Sequence, residues 1–543
     1  MLSAIVCRPR RIHSVLLAQL VLLTCLGAVA CTEASTPGAD AGDASPGDAG
    51  SEDADAGTTP PPPGPDSGPT DAASDARPPV DTGTEPPFPD PNRCLAYEPT
   101  NQLIGDRHFQ RGFIDVEPTT SAERTTMVAG LCPGAPIWQI AFGNSPSTLY
   151  AQPRETLPSG AVQWSDSYAH LAVGPQRSAE ADFVLGMNGR ALYGGAYYVP
   201  RAMQGWVFHL AQQQISIPGD YSSGSPAISS LRGLDFSVFG QLIAASQNRG
   251  AGYDPDVHAA QYLIYFTVQN QNRSSPGFGD YLWFGVTLYD DRTPVPGLSV
   301  LQDRGGTERL IYNLGAAPFV SRAFTPGGPG MVFAGDLLPG MRDALRRAWA
   351  NGFLTGSNDL SDYRIGGMNI GWEASGLNDV EMRVKDLSLV YERRPSAPVV
   401  FGFDTDGDRE GWTLTNGTET AAGPRDGSWG FTVPGATPML ESPELAIEAA
   451  THPVVRVVVA NDGNPAPSSI LKVYWDRFGD EGLREAWSRS ATVSNGGGFQ
   501  TIEFDMSSTP GWVGEIRHLR VDPILAGDGH SVAIDEIAIL PAP

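Results

Sequence analysis

The chain has 543 residues and a formal net charge of −25, with 61 acidic against 36 basic side chains. A negative charge of this size argues against binding to nucleic acid and to an anionic membrane surface. Hydrophobic residues make up 41% of the chain, enough for a globular core. The length allows roughly three or four domains, although not every segment is globular.

The first 30 residues have the features of an export signal. Arg8, Arg10 and Arg11 form a short basic start, and an apolar run over 15–30 precedes Cys31. The run is too short for a membrane-spanning helix and ends on small residues, as signal-peptidase sites do. It resembles a bacterial lipoprotein signal, which implies cleavage before Cys31 and lipid on its thiol; an ordinary secretory signal is the alternative. We therefore expect an exported protein, held at the outer membrane or cell surface only through that lipid.

Residues 31–93 are expected to form a disordered tether. The segment consists almost entirely of Ala, Asp, Gly, Pro, Ser and Thr, with 13 acidic residues and one basic residue over 32–92. Such a composition buries too little apolar surface to offset the entropy of ordering the chain. The tether supplies −12 of the net charge, so the rest of the chain is only mildly acidic.

Two cysteines remain once the signal is removed and Cys31 is lipidated. Cys94 and Cys132 form an even pair in an exported protein, where thiols are oxidised. We expect a disulfide between them, and no cysteine is left for a zinc site or a thiol nucleophile.

Residues 94–395 are predicted to form a large all-β sandwich. Short alternating runs are separated by Gly, Pro, Asn and Asp, the pattern of such a domain. The predicted strands are 137–142, 169–173, 181–187, 206–210, 262–269, 281–289, 309–312, 369–373 and 382–391. One helix is predicted over 337–354, because Leu338, Met341, Leu345 and Trp349 share a face. The pattern resembles concanavalin-like jelly rolls, which bind or cleave polysaccharides, at the level of the fold.

A pair of strands within 258–292 carries the candidate ligand-binding residues. Period-two alternation gives each strand one oily face, which needs a covering layer, and one face of aromatic, amide and hydroxyl groups. Aromatic rings stack on the C–H faces of sugars, and amides bond their hydroxyls. The alternative is that Tyr and Trp occur here only because they favour half-buried strands, without any role in ligand binding. The predicted ligand-binding residues are Gln261, Tyr265, Gln269, Tyr281, Trp283 and Tyr289.

The same region offers weak candidates for catalysis. Retaining sugar hydrolysis needs two carboxyls about 5 Å apart, and no strand carries a paired-acid motif. Asp291 shares the face of Tyr289 by parity, Glu373 ends the predicted strand 369–373 on the face of Asn369, and His258 offers a base. A strand-end turn for Asp291 and a backbone-bonded histidine for His258 are the alternatives. No serine-hydrolase elbow and no zinc-protease motif is present.

Residues 396–543 are predicted to form a second β-sandwich of normal domain size. The opening FDTDGDREGW over 403–412 and the closing LRVDP and IDEI over 519–537 resemble galactose-binding-like carbohydrate-binding modules. Many such modules hold a structural calcium ion near the first and last strands. Asp404 begins a run of alternating acids that suits a hard cation, and Asp535 lies in the last strand. An Asp-rich turn without metal is the alternative.

The sequence thus favours a monomeric, surface-anchored, carbohydrate-binding protein with a polysaccharide or other glycan as its partner. The main alternative is a polysaccharide-cleaving enzyme, a glycoside hydrolase or lyase, with its site on the polar face of the large domain. A structural or adhesive surface protein is the third hypothesis.

Overall fold

The computed structural model describes residues 101–542 except 176, 177, 179, 199–205, 220–223, 305, 463–465, 467 and 526–528. The predicted signal, the tether, Cys31 and Cys94 lie outside these residues, so the lipid attachment and the Cys94–Cys132 disulfide stay predictions. The described chain is nearly all β-structure, which confirms the predicted fold class. None of its helices is long and apolar enough to cross a bilayer.

Four sheets divide into two pairs at a break between Arg393 and Val399. We call the pairs the first and the second sandwich. The strands of the first are β1 Gly112–Val116, β2 Glu123–Val128, β3 Trp138–Gly143, β4 Glu155–Thr156, β5 Val162–Ser165, β6 Ala169–Gly174, β7 Asp182–Asn188, β8 Val207–Gln214, β9 Leu231–Ser246, β10 Ala260–Asn270, β11 Tyr281–Asp290, β12 Ser299–Gln302, β13 Leu310–Asn313, β14 Met331–Asp336, β15 Tyr363–Ala374 and β16 Asp379–Arg393.

In the described residues, the first sandwich consists of a nine-stranded and a seven-stranded sheet. Their strand orders are β12-β13-β11-β10-β15-β8-β3-β1-β2 and β14-β9-β16-β7-β6-β5-β4. Alternate residues of each sheet meet between the layers: Phe266 and Ile370 of one and Phe236 and Leu185 of the other belong to one core. The opposite face of the nine-stranded sheet, which we call the polar face, carries the candidate site.

Two helices lie in the first sandwich, a four-residue α1 at Gly189–Leu192 and α2 at Leu338–Ala350. The second confirms the predicted helix, with Leu338, Met341 and Leu345 buried in the core. A carboxylate oxygen of Asp336 accepts from the backbone N–H of Leu338 at 2.9 Å, satisfying one donor of the first turn. The helix ends before 354 because Gly352 adopts a left-handed conformation with φ of 78°.

The second sandwich pairs two six-stranded sheets in the described residues, with cores of order β19-β20-β28-β23-β26 and β18-β21-β27-β24-β25. Trp412, Trp429 and Trp475 are buried between them, so these tryptophans are core residues. Its strands are β17 Val399–Phe401, β18 Thr413–Thr415, β19 Thr418–Glu419, β20 Trp429–Thr432, β21 Met439–Glu441, β22 Ile447–Glu448, β23 Val454–Asp462, β24 Ser468–Arg477, β25 Ser488–Ser494, β26 Gln500–Asp505, β27 Glu515–Asp522 and β28 Ser531–Leu540.

The two sandwiches contact each other through helix α2, in an area that we call the seam. Phe478 of the second sandwich is 3% exposed and belongs to the core of the first. Its ring lies 6.2 Å from that of Trp349 and 4.1 Å from the guanidinium carbon of Arg346. Shared core residues of this kind join the sandwiches more firmly than a flexible linker does.

Candidate functional site

A groove lies on the polar face, over strands β8, β10, β11 and β15. It encloses about 450 Å³, including space open to solvent. Amide side chains dominate the lining, with two aromatic rings at one end. The lining residues are Gln212, Gln213, Gln214, Thr267, Gln269, Tyr281, Trp283, Gly366, Gly367, Met368 and Asn369. Three of the six residues predicted to bind ligand, Gln269, Tyr281 and Trp283, are therefore brought together here.

Glycine opens the floor of this groove. The pairing of β10 with β15 shifts between Phe266 and Val268, so that β15 carries an extra residue at Gly366–Gly367. A Cβ atom at Gly366 would lie 2.6 Å from Oε1 of Gln269 and 2.7 Å from Oγ1 of Thr267. A side chain there would displace the polar groups that line the groove.

The aromatic end of the groove is a packed cluster rather than a flat platform. The ring centroids of Tyr281 and Trp283 are 5.4 Å apart at an interplanar angle of 85°, and those of Tyr265 and Trp283 are 5.9 Å apart. Tyr281 is only 4% exposed and Trp283 only 7%. The indole N–H of Trp283 donates to Oγ1 of Thr307 at 3.2 Å, which fixes the ring. A ligand therefore reaches only part of each ring.

The predicted placement of Tyr289 on this face is wrong, because a bulge in β11 reverses the alternation. Tyr262 lies opposite Tyr289, but Leu263 lies opposite Thr287, so Leu288 is an extra residue. Tyr289 consequently turns into the core, with its ring centroid 5.9 Å from that of Trp372.

The same bulge places Asp290, rather than the predicted Asp291, on the polar face. Asp290 lies opposite Gln261, whose Nε2 donates to Oδ2 of Asp290 at 2.6 Å. Arg292 adds two hydrogen bonds to Asp290 at 2.9 and 2.7 Å. The amide of Gln261, predicted to contact ligand, is therefore engaged by a protein carboxylate, outside the lining of the groove.

Asp291 and His258, two of the weak catalytic candidates, both form hydrogen bonds within the protein. Asp291 accepts from the backbone N–H of Ala260 at 2.8 Å and from Nδ2 of Asn378 at 2.7 Å, and burial raises its pKa. His258 accepts from the backbone N–H of Asp254 at Nδ1, so its Nε2 carries the proton and donates to the carbonyl of Tyr198, both at 2.8 Å. These contacts match the alternatives of a strand-end turn for Asp291 and a backbone-bonded histidine for His258.

Glu373 is the remaining catalytic candidate, and its surroundings differ. It lies on β15 opposite Gln261, on the polar face, and is half-buried. Burial raises its pKa to about 7, and the negative charge of Asp303 contributes in the same direction. Burial raises the pKa of Tyr265 most, and the charges of Glu373 and Asp303 raise it further.

Asp303, which the sequence analysis did not single out, is linked to the aromatic cluster through Thr307. It lies between β12 and β13, where its Oδ2 accepts from the backbone N–H of Thr307 at 2.7 Å and from the Thr307 hydroxyl at 2.6 Å. Thr307 also accepts from Trp283, so one threonine ties Asp303 to the aromatic cluster. The only signal in the sequence is an acid four residues before a threonine, across two glycines.

The predicted calcium site in the second sandwich involves Asp404 and Asp535. Asp404 is exposed and Asp535 is half-buried, and the pKa of Asp535 is raised by burial, by Glu536 and by Asp404. Oε2 of Glu410 is buried without a hydrogen bond, and burial raises the pKa of Glu410, with Asp408 and Asp404 acting in the same direction. A cation among Asp404, Glu410 and Asp535 would relieve this repulsion. The site stays a prediction.

Among described residues, only His108, Asp182 and Asp386 bring three potential metal ligands within 4.8 Å of one another. The first two already form a buried pair, in which Nδ1 of His108 lies 2.8 Å from Oδ1 of Asp182. The backbone N–H of Asp386 donates to Oδ2 of Asp182 at 2.6 Å. We interpret the group as a structural ion pair.

No family model matches the chain, and no curated protein matches it either. Among solved structures, similarity is found to a tandem of CBM22 domains from Paenibacillus barcinonensis Xyn10C, at 9% identity and a TM-score of 0.26, covering 73% of this chain and all of that one. For the endoglucanase Cel12A of Rhodothermus marinus the sequence identity is 11% and the TM-score is 0.25, and the match covers 47% of this chain and 99% of that one. For the xylan-binding module CBM86 of Roseburia intestinalis the sequence identity is 13% and the TM-score is 0.19, and the match covers 27% of this chain and 96% of that one. These TM-scores are too low to indicate a function for this chain.

Proposed function

We propose that the groove on the polar face binds a polysaccharide chain. The observation that carries the proposal is its lining, in which the amides of Gln212, Gln269 and Asn369 converge beside Tyr281 and Trp283. Amides donate to and accept from sugar hydroxyls, while the exposed parts of the rings contact C–H groups. Polar groups that converge beside aromatic rings in a preformed groove are typical of ligand sites.

One atom of the lining supports a ligand rich in hydroxyl groups. Oδ1 of Asn369 is buried and has no hydrogen-bond partner among the described residues, and Asn369 is 8% exposed. A buried acceptor without a donor destabilises the fold, typically by about 1–3 kcal/mol. A sugar hydroxyl supplies the missing donor, whereas a purely structural or adhesive role for this face leaves the cost without a counterpart.

Affinity electrophoresis in gels that contain neutral polysaccharides tests the proposal. We expect retardation of the full chain by at least one polysaccharide, and a roughly tenfold weaker interaction after Trp283→Ala or Gln212→Ala, corresponding to about 1.4 kcal/mol. Phe499→Ala is the matched control, because Phe499 is 50% exposed on the second sandwich and lies far along the chain from the groove. Unchanged mobility of the wild type across glucans, xylans, mannans and galactans would refute the proposal.

We further propose that Cys31 anchors the protein by lipid at the outer membrane or cell surface, so that the tether holds the groove away from the bilayer. The support is the basic start, the apolar run over 15–30 and the small residues before Cys31. Metabolic labelling with a fatty acid should mark the wild type but not Cys31→Ala. Equal labelling of both would contradict the anchor without affecting the groove.

A further inference from the structure

We propose that the groove receives the end of a polysaccharide chain rather than its interior. The terminal sugar lies against the aromatic residues of β11, and the rest of the chain leaves the groove over β3, β1 and β2 along the polar face. This inference rests on the proposed function. Its ligand class is the terminal segment of an uncharged polysaccharide.

The long axis of the groove crosses the strands. Within β10 the lining side chains Thr267 and Gln269 lie two positions apart, as do Tyr281 and Trp283 within β11, and two positions correspond to about 7 Å along a strand. Four neighbouring strands, in the order β11-β10-β15-β8, contribute to the lining, and their spacing gives about 14 Å across the sheet. An extended ligand therefore lies across the strands.

At β11 the groove is closed by the segment that leads from β12 into β13. Although β13 is the next strand of the sheet, no described residue of β12 or β13 lines the groove. Instead, the Thr307 hydroxyl accepts from the indole of Trp283 at 3.2 Å, and the guanidinium carbon of Arg309 lies 5.2 Å from the ring centroid of Tyr281. These contacts cover the outer sides of both rings, so the rings form an end wall.

The ring of Tyr265 completes this wall. Tyr265 lies opposite Gly285 of β11, where a Cβ atom would be only 2.3 Å from Cε1 of Tyr265. The tyrosine ring therefore occupies the space above this glycine. Beyond it, Asn313 of β13 is buried and bonded to the Thr287 hydroxyl. A polysaccharide chain cannot continue past β11, so its terminus lies at the wall.

At β8 the polar face continues as a row of accessible side chains. Nε2 of Gln212 donates to Oε1 of Gln139 on β3 at 3.2 Å, and strand pairing places Ile114 of β1 and Thr126 of β2 next in the same row. Gln139 and Ile114 are half-buried, and Thr126 is exposed. The row offers an amide, an apolar side chain and a hydroxyl, which are types of group that also line the groove.

The length of this path decides which ligands use it. From Trp283 to Thr126 the path crosses six intervals between neighbouring strands, which corresponds to about 29 Å. A chain that ends at Trp283 reaches β2 only if it contains several sugar residues. A disaccharide stays within the groove.

Competition in affinity electrophoresis distinguishes chain ends from chain interiors. A neutral polysaccharide that retards the full chain is partly hydrolysed, and the digest is compared with the intact polymer as a competitor. Digestion to chains about tenfold shorter creates tenfold more ends per mass, so we expect half-displacement at roughly one tenth of the mass. Equal displacement by equal masses would show that chain interiors bind, which overturns this inference and leaves the proposed function in place. No retardation by any neutral polysaccharide overturns both.

The path over β2 is tested with Thr126→Val, which removes the hydroxyl and keeps the shape of the side chain. Titration calorimetry should show roughly fivefold weaker binding of a long oligosaccharide, because one hydrogen bond is lost, and unchanged binding of the shortest oligosaccharide that binds. Thr125→Val is the matched control, since Thr125 is exposed on the opposite face of the same strand. Equal affinities of the wild type and Thr126→Val for the long oligosaccharide, or an equal loss in Thr125→Val, would overturn the path.

Discussion

The polar face and the seam each hold a carboxyl whose pKa burial raises to about 7, Glu373 on strand β15 of the polar face and Glu448 in the seam. Their surroundings differ. Glu448 is 5% exposed and lies beside Glu515, its partner residue across the β22–β27 pair, and Arg342 and Arg394 bind Glu515 at 2.5 and 2.7 Å. Glu373 has no cation and no hydrogen-bond donor among the described residues, and Oε2 of Glu448 lacks a hydrogen bond as well.

The seam and the groove differ in how their buried polar groups are satisfied. In the seam, two guanidinium groups compensate a buried carboxylate, and Phe478 fills the core of the neighbouring sandwich, so the contacts fix the sandwiches against each other. In the groove, the amide oxygen of Asn369 has no hydrogen-bond partner among the described residues, and a ligand can supply the missing donor. Burial is therefore the main cause of the raised pKa in both Glu373 and Glu448, although their neighbours differ.

Breaking the ion pairs of the seam should have the largest effect. Glu515→Ala leaves Arg342 and Arg394 buried without their shared partner, and we expect a loss of about 3–5 kcal/mol in the free energy of unfolding. Urea denaturation measures it. Glu481→Gln is the control, because this exposed acid lies 3.7 Å from Arg346 and should cost under about 1 kcal/mol. A similar loss in both variants would contradict the role assigned to Glu515.

The two carboxyls with raised pKa values should have matching effects on stability. A carboxyl whose folded-state pKa of about 7 exceeds its ordinary value of 4.5 stabilises most below pH 4.5 and loses that contribution as pH rises to about 7. Glu373→Gln and Glu448→Gln should each raise stability at pH 8 by roughly 2–4 kcal/mol and flatten its fall between pH 4.5 and 7.

Melting curves from pH 4 to pH 9 measure these slopes. A slope unchanged in either variant would show that its carboxyl is not the one that titrates.

A third group of acids, in the second sandwich, provides a smaller test. Calcium held by Asp404, Glu410 and Asp535 should raise stability by about 2.7 kcal/mol at a hundredfold excess over its Kd. Thermal melts with calcium and with a chelator measure the shift, which Asp535→Asn should abolish. Equal melting temperatures with and without calcium would leave the Asp-rich turn as an ordinary turn.

The smallest effect concerns Tyr289. Tyr289→Phe keeps the ring in the core beside Trp372, so stability should change by less than about 1 kcal/mol and polysaccharide retardation should not change. Tyr281→Phe, at the lining of the groove, is the comparison and should weaken retardation. A weaker interaction with polysaccharide after Tyr289→Phe would show that the Tyr289 hydroxyl contributes to binding.

Much of the fold follows from local patterns in the sequence. Alternation predicted β10, β11 and β15 because each strand keeps one apolar face over many residues. The strand β9 was missed, although Leu234, Phe236, Val238 and Leu242 alternate inward, because Gly233 and Gly240 interrupt the run. Helix α2 was predicted from its apolar spacing, and its end at Ala350 depends on the left-handed Gly352.

The sequence by itself determined the all-β class, the helix and the amide and aromatic character of one strand face, since these depend on which residue types recur at period two or 3.6. Only the tertiary structure decided which of those side chains meet. The extra residue Leu288 sends Tyr289 into the core and brings Asp290 onto the polar face. Burial raises the pKa of Glu373, and Thr307 of a hairpin remote in sequence ties Asp303 to the aromatic cluster. Bulges, burial and contacts between distant segments leave no periodic trace in the chain, so the sequence alone could not predict them.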